Sequence, residues 1–133
     1  MSTLAVGTIK SVSSAAPVFQ NTSGTEKGQL AKAWISFDGE GTIAINDSFN
    51  ISSIADNATG EYTVTLSTAM SNANYSIVLG CKSRLSNRNT VANAGGTSEN
   101  DPTTTAFQIV TMGSTNNSMT DGAFVFAAVF GDQ

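Results

Sequence analysis

Histidine is absent from this 133-residue chain and cysteine occurs once. Nucleophilic mechanisms that borrow an imidazole base, Ser-His-Asp or Cys-His, therefore have no base here, and neither do Cys/His zinc sets have ligands. What remains is carboxylate chemistry. Asp38 and Glu40 stand two apart in Asp38-Gly39-Glu40-Gly41, and a glycosidase needs two carboxyls held roughly 5 to 9.5 Å apart across a sugar cleft. The simpler reading of the same residues is a hairpin corner, which Asp and Gly favour for backbone reasons. Asp38, Glu40, Asp47 and Asp56 fall at successive breaks in the pattern. Calcium takes oxygen-rich turns of this kind, but no EF-hand-type loop is written here, so these acids are expected to be solvated turn residues. Neither a GxGxxG nor a Walker-type phosphate loop occurs. The expectation is no catalytic residue, no metal and no cofactor.

Other side chains suggest binding. Trp34, Tyr62 and Tyr75 are residues that stack on sugar faces, and equally residues that anchor a core. Lys82, Arg84 and Arg88 cluster in a polar segment, readable as a solvated loop or as a receptor-facing one. A net charge of −4 argues against a nucleic-acid partner, which would need many clustered cations to displace counterions. Cys81, closing the run YSIVLGC, reads as a buried structural thiol.

The elements that must position these residues are strands. The chain holds 17 Ser, 17 Thr and 12 Asn but only five Leu, with 12% charged residues, a vocabulary of strands and turns rather than of surface helices. LAKAWISF alternates, with Ala31, Ala33, Ile35 and Phe37 on one face and Leu30, Lys32, Trp34 and Ser36 on the other. Asp38-Gly39 suits a type I′ hairpin into GTIAIN. Asn46-Asp47 reads as a break before SFNISSI, where Ile54 falls one residue out of phase, the mark of a bulge near Ser52-Ser53 or of a strand end. After a turn over Asp56 to Gly60, EYTVTL puts Tyr62, Val64 and Leu66 on one side. YSIVLGC, FQIVTM and AFVFAAVF complete seven strands from Leu30. The tract from Lys82 to Thr105 reads as one long polar loop, and Gly113 to Gly122 as another.

The sum is an all-β chain: a small antiparallel β-sandwich of about seven to eight strands over residues 30–133, with an extended N-terminal arm over residues 1–29. LAVGTIK and PVFQN within the arm are too short and interrupted to form a core, so they dock elsewhere, on a neighbouring subunit, on a scaffold, or as a first strand in the chain's own sheet. AFVFAAVF is far shorter than the roughly 20 residues of a membrane-spanning helix. It is apolar on both faces, Phe124, Phe126 and Phe130 on one and Val125 and Val129 on the other, whereas a two-layer sandwich leaves one face wet. These five residues are the candidate subunit interface. No basic segment followed by an apolar one marks a secretory signal, so synthesis and folding in a cytoplasm are expected.

One longer pattern is more specific. The segment W-I-x-F-x-G-x-G-T-x-x-I-x-x-S-F-N-I-S-S-I-x-D-N-x-T-G-x-Y-T-V, from Trp34 to Val64, continues into T-A-M and A-N-Y and follows the start LxVGTIKS and APVFQNTSGTEKGQL. It resembles modules of tail-fibre and other small virion structural proteins of tailed bacteriophages of the marine and cyanobacterial type. The resemblance implies a non-enzymatic virion component assembled in the host cytoplasm. It further implies a homotrimer held to other tail or capsid proteins by its N-terminal arm, with a β-rich part facing solvent or a host-surface glycan or protein. A tail role, with host attachment or assembly as its purpose, leads; a capsid decoration or head-fibre protein is the alternative, and a small carbohydrate-active enzyme using Asp38 and Glu40 stands third. The pattern thins after Cys81.

Overall fold

A computed structural model describes residues 5–10, 17, 19–82, 90–95, 101–113 and 118–133. Its described residues form ten β-strands and no helix, and the chain divides into two compact units, Met1–Leu30 and Ala31–Gln133. In the first unit, β1 (Phe19–Gln20) pairs antiparallel with β2 (Glu26–Gly28). Asn21 closes the hairpin: its side-chain oxygen accepts the amides of Ser23 at 3.1 Å and Thr25 at 2.8 Å. Phe19 and Gln20 of the PVFQN piece thus begin a local hairpin.

The second unit is the sandwich. One sheet runs β4-β3-β10-β7 and the other β5-β6-β9-β8, antiparallel throughout. The strands are β3 (Ala33–Asp38), β4 (Ala44–Phe49), β5 (Ile51–Ala58), β6 (Glu61–Leu66), β7 (Ser76–Lys82), β8 (Thr90–Ala94), β9 (Ala106–Gly113) and β10 (Phe124–Phe130). Alternation sets the core: Ala33, Ile35, Phe37, Val125, Ala127 and Val129 from one sheet meet Tyr62, Val64, Leu66, Phe107 and Ile109 from the other. Burying each of the larger side chains stabilises the fold by roughly 1.5–3 kcal/mol. The Phe37 and Tyr62 rings meet edge to face, centroids 5.0 Å apart and planes at 71°.

Several turns depart from the sequence reading. The β3–β4 hairpin exists, but its connection is longer than a two-residue Asp-Gly turn: positive φ falls on Gly41, at 67°, not on Asp38 or Gly39. Asn46-Asp47 does not end a strand. Ser36 pairs with Asp47 and Phe37 with Ile45, which leaves Asn46 as a bulge inside β4. The slip before Ile54 is a bulge, at Ser52, since Ile51 pairs with Leu66 and Ser53 with Thr65. Asp56 and Asn57 belong to β5 as well, with Asn57 bulged, so the turn is only Thr59-Gly60. The tract read as a loop from Lys82 to Thr105 contains β8, paired with β9. Its Thr-Val-Ala-Asn-Ala sequence is too weakly apolar to announce a strand; backbone pairing with a strong neighbour makes it one.

SFNISSI is not one strand, because the chain changes sheets at Asn50, from β4 to β5. Asn50 has φ of 57°, a left-handed conformation that Asn tolerates better than other residues with a Cβ. Its amide nitrogen donates to the carbonyls of Lys32 at 3.0 Å and Thr68 at 3.2 Å, and its side-chain oxygen accepts the Thr68 amide at 2.8 Å. Its own carbonyl accepts the Ser67 amide at 3.1 Å. One residue thereby ties the β3 entrance and the β6 exit to the corner. Replacing it by Ala loses the three side-chain bonds and keeps the backbone cost, so Asn50→Ala is expected to lower stability by about 3 kcal/mol, and Asn50→Gly by about 2 kcal/mol because the strain is gone. Urea unfolding of both variants checks this; equal losses would remove backbone conformation from the account.

Candidate binding surface

β10 alternates, and its even-numbered residues point away from the core. Val125 and Val129 are fully buried between the sheets, so these two of the five expected interface residues serve the core. Phe124 and Phe126 lie on the outer face, 43% and 52% exposed, with Phe130 half-buried. Strand pairing extends the face across the sheet. Phe49, Trp34, Ala128 and Val78 form one rung across β4, β3, β10 and β7, and Asp47, Ser36, Phe126 and Gly80 form the next. Phe49 and Val78 are 55% and 60% exposed at the two edges, with Trp34 at 37% between them. Gly80 makes room for aromatic packing: a Cβ there would collide with the Phe126 ring. Lys82 ends β7 with its ammonium 5.8 Å from the centre of the Phe124 ring, a cation–π contact.

The other expected site residues fall elsewhere. Tyr62 and Tyr75 are buried, so of the three aromatic stacking candidates only Trp34 is offered to a ligand. Asp38 closes its own turn, its carboxylate accepting the Glu40 amide at 3.0 Å, as a hairpin acid does. Asp47 is on the outer face of β4 and Asp56 is exposed in β5, in the opposite sheet. Among the described residues no three His, Cys, Asp or Glu side chains gather as a metal-ligand set. Arg84 and Arg88 lie outside the described residues. Cys81 is half-buried against the core, and that desolvation pushes its thiol upward, away from thiolate reactivity.

A polar knot at the far end of the sandwich was not foreseen. The Tyr62 hydroxyl faces the Asp121 carboxylate at 3.1 Å and the Gly39 carbonyl at 3.3 Å. Asp121 also accepts the Gly60 amide at 2.6 Å, while the Gly60 carbonyl accepts the Thr111 amide at 2.8 Å. Buried Thr111 donates its hydroxyl to the Thr120 carbonyl at 2.6 Å. Gly60 is required: its φ is 71°, and a Cβ would sit 2.5 Å from the Thr111 oxygen. Asp121 lies 59 residues from Tyr62, a separation no local pattern reports. The knot is built for holding. Burial first, then the neighbouring Asp121 charge, pushes the Tyr62 hydroxyl well above its usual range, which suits a fixed donor and not a base or nucleophile.

The outer face of the β4-β3-β10-β7 sheet, where Trp34, Phe49, Val78, Phe124 and Phe126 stay exposed, is therefore the candidate site. Comparison with protein-family models, with curated proteins and with solved structures finds no match.

The raised tyrosines have a sign. Tyr62, and Tyr75 by burial alone, keep their protons in the folded state above the ordinary value of 10.0. The stability they contribute is complete below pH 10 and lost as pH climbs through the folded values. Tyr62→Phe is expected to lower stability by about 1–2 kcal/mol at pH 7 and to flatten the fall of unfolding free energy above pH 10. Urea midpoints from pH 7 to 12 test it; an unchanged alkaline slope would remove Tyr62 as its cause.

Proposed function

We propose that this chain is a non-enzymatic structural protein of a tailed-phage virion, a small β module of the tail that assembles with copies of itself and with other virion proteins. Host attachment, through a surface glycan or protein, is the purpose such a module serves. The observation that carries the reading is the outer sheet face, on which Trp34, Phe49, Val78, Phe124 and Phe126 stay exposed together. Contiguous apolar surface of this kind marks an interaction site. The long pattern from Trp34 to Tyr75 supplies the virion context, and the segment over residues 1–29 is the attachment arm in this reading. Phe19, Val6 and Ile9, all substantially exposed, are consistent with a segment that docks on something else.

Virion membership is directly testable. Particles purified from an infected culture are expected to contain the chain in multiple copies, by peptide mass spectrometry, and antibody labelling is expected to decorate the tail. Label confined to the head would make it a capsid decoration protein. Abundant chain in the lysate with none in the particles would end the virion reading.

A further inference from the structure

We propose that the outer face of the β4-β3-β10-β7 sheet binds the same face of a second copy, forming a two-fold pair with strands running alongside one another. This deepens the self-assembly part of the proposed function and commits to two copies where the phage resemblance implies three. Area comes first. Aromatic side chains present roughly 200 Å² each when fully exposed, so the half-exposed Trp34, Phe49, Val78, Phe124 and Phe126 offer about 500 Å². Two such faces together reach the roughly 1,000 Å² that a specific interface must clear.

The rungs then choose the geometry. Sheets packed face to face keep their strands within about 30° of one another, and identical faces meet about a two-fold axis. An axis parallel to the strands lays β10 over the partner's β3, and β7 over the partner's β4, rung against rung. In the first rung, Trp34 meets the partner's Ala128 and Phe49 meets the partner's Val78; in the next, Phe126 meets the partner's Ser36. Trp34 and Phe126 thus stand opposite the small Ala128 and Ser36, an arrangement that lets layers interdigitate. The charges agree. Lys82 lies at the β7 edge, one rung from Gly80, and Asp47 shares the Gly80 rung at the β4 edge. The pairing therefore brings Lys82 within one rung of the partner's Asp47, twice over by symmetry.

Sedimentation equilibrium of the full chain, with charge reversal, tests the pair. The expected mass is twice the 13.7 kDa of one chain. Lys82→Glu alone and Asp47→Lys alone are each expected to weaken association about tenfold, and the double variant to recover most of it. Both positions are exposed, so circular dichroism should show an unchanged fold. Phe126→Ser, also on the outer face, should shift the chain to monomer. A monomer at 100 µM, a mass of three chains, or single reversals that the double variant does not rescue would each overturn the pair. None of these bears on whether purified particles contain the chain, so the virion reading stands or falls separately. A dimer indifferent to Phe126→Ser would place the contact elsewhere and overturn the pair equally.

Discussion

Two sheets of short strands rich in Ser and Thr can shut around a core only if the polar backbone at each end of the sandwich is satisfied, because an orphaned buried amide or carbonyl costs more than a typical bond returns. This protein meets that demand with one side chain at one end and a pair at the other. At the β3 entrance the Asn50 amide closes on Lys32 and Thr68. At the β3 exit the Tyr62 hydroxyl and the Asp121 carboxylate gather Gly39 and Gly60. Between them the apolar layer fills by alternation alone. The apolar core supplies the hydrophobic driving force; the polar ends tie down the corner at Asn50 and the turns at Gly39 and Gly60.

That division explains what the sequence could tell. Residues whose role follows from alternation were legible: Ala33, Ile35 and Phe37 against Trp34, or Tyr62, Val64 and Leu66 within β6, each on its expected side. The outward Phe124 and Phe126 were legible for the same reason, as a strand apolar on both faces. What escaped depends on contacts distant in sequence. Asn50 reads locally as a strand residue and becomes a corner only through Lys32 and Thr68, each 18 residues away. Thr90–Ala94 becomes a strand through β9. Val125 and Val129 read as interface residues in a strand apolar on both faces; only the second sheet shows which side is already taken.

The candidate site follows the same economy. The face is made by rungs that cross four strands, and Gly80 lets Phe126 lie over the backbone. Aromatic rings placed this way are rigid and lose little freedom on contact, which favours adhesion through area over recognition through a few polar bonds. The acids sit at turns and edges, and the buried hydroxyl holds its proton.

The bulges at Asn46, Ser52 and Asn57 carry a consequence of their own. All three lie on β4 and β5, the strands that border the two sheets at the side where the chain crosses between them. A sheet border is a row of unpaired donors and acceptors, the template on which chains polymerise into fibrils, and a bulge bends that row so that an incoming strand cannot follow it. An extra residue every few positions turns a border that could propagate without limit into one that terminates. The two borders that carry these bulges are thereby protected from open-ended stacking.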